Sequence, residues 1–235
     1  VRGEVVGGLF PLEIISGALG ADIKQVKDHF GEAGSETDFR VLWGHDAAMD
    51  SMWLPRRRVG FGAPRREGKS EDLHKKHRSR LLISDRLHVH TDCVVAVESS
   101  QPALATAFWE VALLEPSWMP TVLLWVNSTL GLLLYLSVST NTGNQIFQTK
   151  KEQLASLLIP HLDGSRYAEC ERFYKTVRFE AFKPFPAEAA ENHANGGLRK
   201  RIDDFLIDIL GLKLDLKPYY GLLAKEPMLT LKRLT

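Results

Sequence analysis

The longest apolar run in the chain, Thr121 to Ser137, sets the strongest condition on the fold. About 17 residues of this kind approach the length of a membrane span. Val122, Leu123, Leu124, Trp125 and Val126 lead it, and Leu130 with Leu132 to Leu136 follow. Asn127-Ser128-Thr129 and Gly131 interrupt it, and no basic anchor flanks either end closely. These breaks predict one buried helix of a non-membrane domain, around which the rest of the chain must pack. With 235 residues, 44% of them hydrophobic and 25% charged, the chain can bury such a core as one large domain or two small ones. Those proportions exclude wholesale disorder, collagen-like repeats and a disulfide scaffold.

Shorter elements arrange themselves around this run. Asp22 is the expected N-cap of a helix from Ile23 to Phe30, with Ile23, Val26 and Phe30 on one stripe. Phe39 to Trp43, Leu81 to Ser84 and Cys93 to Val97 are expected strands, while Pro102 to Glu115 fits strand or helix. Pro55 to Ser70, with three Gly, two Pro and six basic residues, suits an exposed loop, followed by a short basic helix from Glu71 to Arg80. Asn141 to Gln148 is expected to turn into a strand, and Lys150 to Leu158 to form an amphipathic helix closed by Pro160. Beyond Asp163 the chain becomes helical. Leu198 to Leu210 places Ile202, Phe205, Leu206, Ile209 and Leu210 on one side, and Leu214 to Leu223 is expected to add a short helix. The expected organisation is α+β: a helical lead-in over 1–38, a mixed domain over 39–162 and a helical C-terminal region over 163–235.

A net charge of +1 conceals an asymmetry. Between Pro55 and His90 eleven Lys or Arg oppose four acids, so the window carries 11 − 4 = +7 and the remainder 1 − 7 = −6. A polyanion such as DNA is the natural partner of such a stretch; a solvated charged loop is the plainer alternative. Arg56, Arg57, Arg58, Arg65, Arg66, Lys69, Lys75, Lys76, Arg78 and Arg80 are the candidate DNA contacts.

Several fragments of catalytic motifs fail on spacing. Gly68-Lys69-Ser70 ends like a phosphate loop, but Ala63 stands where the first glycine is needed and no apolar strand leads in. Glu67-Gly68-Lys69 has the spacing of a metal-dependent nuclease on a segment too flexible to aim it. His74-x-x-His77 and His88-x-His90-x-x-Cys93 contain zinc-compatible ligands without paired cysteines. No Gly-x-Ser-x-Gly elbow is present, no two prolines adjoin, and Gly60-Phe61-Gly62 mimics the glycines of a methyl-donor pocket without a preceding strand. The expectation is a non-catalytic segment with no metal site. Cys93 and Cys170 read as free thiols of a reducing compartment, the cytoplasm. The first residue is Val and no leader-like segment follows it, so a piece of a longer polypeptide is expected.

Five stretches in order resemble the C-terminal part of adenine-specific DNA methyltransferases of restriction-modification and phage-defence systems, whose target-recognition domain is related to type I specificity subunits. They are Leu42-Trp43-Gly44-His45-Asp46, Ser79 to Leu87, Leu124-Trp125-Val126-Asn127-Ser128-Thr129-Leu130-Gly131-Leu132 with the Gly143 to Gln148 strand after it, Leu154 to Pro160, and Arg199 to Leu212 with Ala224-Lys225-Glu226-Pro227. The resemblance covers most of 39–162 and, more loosely, 197–228. It implies a segment that holds double-stranded DNA for a catalytic domain using S-adenosylmethionine, with no cofactor in this chain and no membrane partner. The Asn/Asp-Pro-Pro-Tyr/Phe catalytic loop of such enzymes is absent here. Asn127 and Ser128 are expected to be packing groups, and Trp43, Trp109 and Trp125 core. A protein-interaction domain with a basic surface and a metal-dependent nuclease stay open as other readings.

Overall fold

The computed structural model describes residues 8–44, 49–143, 146–194 and 196–224. His45-Asp46, Asn144-Gln145 and Lys225-Glu226-Pro227 of the motifs above lie outside the described residues.

The ten-residue strand Ala96–Ala105 is the spine of the fold. It is hydrogen-bonded along one side to Ser79–Ser84, which runs antiparallel with Leu82 opposite Val97. Along the other side two short strands run parallel to it: Trp53–Leu54 opposite Glu98 and Ser99, and Arg40–Leu42 opposite Leu104 and Ala105. The sheet continues through Phe108–Leu113 to Ser16–Leu19 at one edge, and through Gly60–Pro64 to Phe30–Glu32 at the other. In Ser79–Ser84 all residues but Arg80 are buried, as in a sheet covered on both faces. Residues 8–38 thus contribute both edge strands. Two smaller pairings complete the β structure, Leu9–Pro11 with Leu158–Pro160, and Ile146–Gln148 between Arg86–His88 and Thr140–Asn141.

The stretch expected as an exposed loop, Pro55 to Ser70, is instead a 3₁₀ turn, Arg56–Arg58, and a sheet strand, Gly60–Pro64. Its glycines answer to packing. A Cβ on Gly62 would lie 2.8 Å from Val41 Cγ2 and 2.9 Å from Phe30 Cδ1, so the small cluster of Val26, Phe30, Val41, Trp43 and Leu104 closes only over a bare backbone. The following helix starts two residues earlier than expected, at Lys69, and ends at His77. The strand expected from Cys93 begins at Ala96, and Phe108–Leu113 settles the ambiguous segment as a strand.

The apolar run is two helices, Met119–Asn127 and Thr129–Val138, in place of one. The chain bends by 80° between them, and among the described residues no single helix is long and apolar enough to cross a membrane. Ser128 makes the break: it is extended, its Oγ accepts from Gly131 N at 3.0 Å and donates to the Trp125 carbonyl at 2.6 Å. A Cβ on Gly131 would collide with that same carbonyl. Asn127 is fully buried; its Oδ1 accepts from Val95 N and Ala96 N, and its Nδ2 donates to the Ala96 and Leu123 carbonyls.

The C-terminal helices Gly164–Val177, Phe185–His193, Leu198–Ile209 and Lys217–Ala224 lie against this core. Tyr167, Tyr174, Ile202 and Leu206 belong to one continuous apolar cluster with Leu82, Val97 and Trp125. The boundary at 162/163 marks a change of secondary structure that the core runs across.

Candidate nucleic-acid interface

Asp22 starts the helix Ile23–His29 as expected. Its Oδ1 accepts from Lys24 N at 2.7 Å, and Gln25 Oε1 accepts from Asp22 N at 3.3 Å. With Val26 fixed inward, Lys24 and Lys27 stand three residues apart on the outer side. Lys76 and His77 reach the same place from the end of Lys69–His77, Arg86 from the start of Arg86–His88, and Lys150 and Lys151 from the start of the helix Lys151–Ala155. Five lysines and one arginine from four separate segments therefore line a cleft of about 920 Å³, opposed by Asp22, Asp28, Asp85 and Glu152. An adjoining hollow of about 400 Å³ shares Ile23, Lys27, Asp85 and Arg86 and carries the groove on to Gly44, His88 and Asp92.

The groove is built on fixed backbone. Trp109 Nε1 donates to the Thr149 carbonyl at 2.9 Å, Thr149 N to the Asp85 carbonyl at 2.8 Å, and Tyr135 OH to the Ser84 carbonyl at 2.7 Å. Trp109 is a wall of the groove, not a free stacking platform. Burial pushes the Asp85 carboxyl above its ordinary range against the pull of Arg86 and Lys27. Burial, aided by Lys76 and Lys151, holds the His77 imidazole below its usual value and so neutral at pH 7. Beneath the floor, at Gly20, lies Glu110, 1% exposed. Desolvation pushes it up to about 8 although its Oε1 accepts from Ala105 N at 2.6 Å.

The ten residues singled out by the charge window are not one surface. Three consecutive residues of a 3₁₀ turn point about 120° apart, so Arg56, Arg57 and Arg58 do not present a common face. Arg65 Nη1 donates to the Lys27 carbonyl at 3.1 Å, which fixes the end of the helix Ile23–His29 behind the groove. Arg66 and Lys69 flank the first turn of Lys69–His77, and Lys75 is exposed on it. Arg80 is committed to the fold: its Nη2 contacts the buried Glu98 Oε1 at 2.5 Å, and its Nε donates to the Ser99 carbonyl at 3.1 Å. Arg56 and Arg78 line a separate pocket of about 310 Å³ with Arg40. Of the ten, the groove contains Lys76.

Lys24, Lys27, Arg86, Lys150 and Lys151 were not among the candidates. The spacing of Lys24 and Lys27 opposite Val26 was a usable signal; nothing local marks Lys150 and Lys151, which the fold alone brings to the groove.

The motif fragments have structural explanations. Gly68 caps Lys69–His77 with φ +70°, and Ser70 Oγ donates to the His29 carbonyl at 2.8 Å. His74 is buried and held down at about 4, chiefly by desolvation; its Nε2 accepts from Arg40 N at 3.2 Å, so its acceptor nitrogen is spent within the fold. Among the described residues no group of three or more His, Cys, Asp or Glu comes together to hold a metal. Gly60-Phe61-Gly62 offers no cradle for a methyl donor, because the spaces over its glycines are filled by Trp43, Val41 and Phe30.

No protein-family model matches the chain, and no curated protein does. The solved structures supply the relationship. The chain carries the fold of part of a type IIG restriction endonuclease. That protein, BpuSI, superposes with a TM-score of 0.53 at 12% identity, over 86% of this chain and 31% of its own. This chain thus spans about a third of the endonuclease. A type I restriction-modification S subunit from M. genitalium aligns over 83% of this chain and 42% of that one, with a TM-score of 0.39 and 9% identity, a likeness too loose to build on. The α+β class expected from the sequence is the class observed.

Proposed function

We propose that this chain is the target-recognition segment of a restriction-modification enzyme and grips duplex DNA along the lysine-lined groove. The observation that carries the reading is the convergence of Lys24, Lys27, Lys76, Arg86, Lys150 and Lys151 on one cleft, within a fold shared with part of a restriction endonuclease. Lysines hold phosphates as point charges, which fixes register on the duplex. Arg86, His88 and Gln148 line the groove with donor and acceptor groups of the kind that meet base edges.

The partner is a catalytic domain, in the same or a separate chain, that transfers a methyl group from S-adenosylmethionine to adenine N6 in the cytoplasm. This follows the sequence resemblance and the lack of a donor cradle at Gly60-Phe61-Gly62. The target base has to leave the stack for that reaction, and a rigid grip on the flanking duplex is what this segment supplies.

Fluorescence anisotropy with random-sequence duplex DNA tests the reading. Five lysine–phosphate contacts predict an affinity loss of about 500-fold between about 50 and 200 mM salt. Binding that is absent at low salt, or indifferent to salt, overturns it.

A further inference from the structure

A second cationic site lies outside the groove. His74 and Arg78 stand four residues apart on one side of the helix Lys69–His77 and its cap, while Lys76, two residues on from His74, points about 200° away toward the groove. On the His74 side Arg40, Arg56 and Arg78 line the pocket of about 310 Å³, with Glu36 and Asp38 as its carboxylates and Gln101 in its wall.

One oxygen, Glu36 Oε1, accepts from Arg40 Nη2 at 2.8 Å and from Arg56 Nη2 at 3.0 Å. Arg40 is held ready: its guanidinium lies 3.9 Å over the Phe61 ring, its side chain is 11% exposed, and its main-chain N–H is taken by His74. Glu36 is the loose member, 68% exposed on the turn between Phe30–Glu32 and Arg40–Leu42. Among the described residues Gln101 Nε2 is buried with no hydrogen-bond partner.

We infer that Arg40, Arg56 and Arg78 form a phosphate-binding pocket in which the Glu36 carboxylate is a stand-in that the ligand displaces. Guanidiniums fork onto phosphate oxygens from several directions, and three of them suit a tetrahedral anion better than a single planar carboxylate. An exposed carboxylate on a turn gives way easily, because ion pairs of this kind are weak. The phosphate is either free or part of a DNA backbone. The second source rests on the proposed function and extends the footprint beyond the groove.

The test uses the full chain, with Glu36→Gln and the double variant Arg56→Ala/Arg78→Ala, both at exposed positions. Inorganic phosphate at constant ionic strength should raise the thermal midpoint of the wild type. Glu36→Gln should respond at about two- to five-fold lower phosphate, and the double variant should not respond. With duplex DNA, Glu36→Gln should bind about two- to five-fold tighter, and the double variant should flatten the log–log salt dependence by about one unit or more. A phosphate response without any DNA effect assigns the pocket to free phosphate. Variants indistinguishable from the wild type in both assays overturn the pocket, even if DNA binding through the groove stands. A phosphate response in a chain that does not bind DNA leaves the pocket and removes the proposed function.

Discussion

Arg199, on the helix Leu198–Ile209, donates through Nη1 to the main-chain carbonyl of Asn127, the last residue before the 80° bend in the apolar core. Its Nη2 reaches the Cys93 carbonyl at 2.8 Å, and its guanidinium stacks on Phe182 and Phe185 at 4.8 and 4.7 Å. One turn along the same helix, Asp203 accepts from Thr129 N and Oγ1 at 2.7 and 2.6 Å and from Tyr220 OH at 2.8 Å. The Asn127-Ser128-Thr129 segment of the resemblance, a helix break in the structure, is therefore the joint between the sheet domain and the C-terminal helices.

Asn127→Ala should cost about 3 kcal/mol in urea unfolding, because two buried main-chain donors and one carbonyl next to the sheet lose their partner. The variant that remains folded should bind DNA as the wild type does. A stable variant with lost DNA affinity would instead make Asn127 a contact residue.

Gly131→Ala should destabilise by about 2–4 kcal/mol, since the added methyl runs into the Trp125 carbonyl and the bend has no room to open. A melting curve that matches the wild type would show that the bend relaxes.

Arg80 separates the charge window from the interface. Its partner Glu98 is buried and also accepts from Tyr174 OH at 2.8 Å, so Arg80→Ala leaves that carboxylate only the more distant Arg178, 3.9 Å away, as a cation. The expected loss is about 1–2 kcal/mol, discounted because the Arg80 side chain is 43% exposed. DNA affinity should change by less than about two-fold, which anisotropy on the folded variant checks.

Glu110 gives stability a pH dependence of defined sign. Its folded value of about 8 lies above the ordinary 4.5, so the folded chain holds a proton that the unfolded chain releases. Its contribution is complete below pH 4.5 and is lost as pH rises through 8. Asp203, raised to about 6, acts the same way lower down, while His74, lowered to about 4, and His77 act oppositely below 6.5. Between pH 6.5 and 8 Glu110 is thus the main source of a fall in stability. Denaturation midpoints of Glu110→Gln should be flatter than the wild type across that interval; parallel profiles would exclude Glu110.

Local signals carried the helices well. Asp22 announces its capping box, and Ile202, Leu206 and Ile209 define the buried side of Leu198–Ile209. Gly60-Phe61-Gly62 misleads, because glycines that make room for Phe30, Val41 and Trp43 look in sequence like glycines of a loop. Asn127-Ser128-Thr129 shows as an interruption, but Asp203 and Arg199, which bind the two sides of the bend, lie more than 70 residues away. The interface was harder still. Charge density drew attention to Arg56 to Arg80, where Arg80 and Arg65 serve the fold, whereas the groove collects lysines from 24, 27, 76, 150 and 151 that only the folded chain makes neighbours.

The most direct test of the groove is the salt dependence of duplex DNA binding for the wild type and for Lys24→Ala/Lys27→Ala/Lys150→Ala/Lys151→Ala. These lysines line a surface cleft, and circular dichroism should show an unchanged fold. Five lysine–phosphate contacts predict a wild-type log–log slope of about −4.5, and removing four should flatten it by about 3 to 4 units. A variant that keeps the wild-type slope and affinity would contradict the account, and would place the DNA elsewhere on the chain.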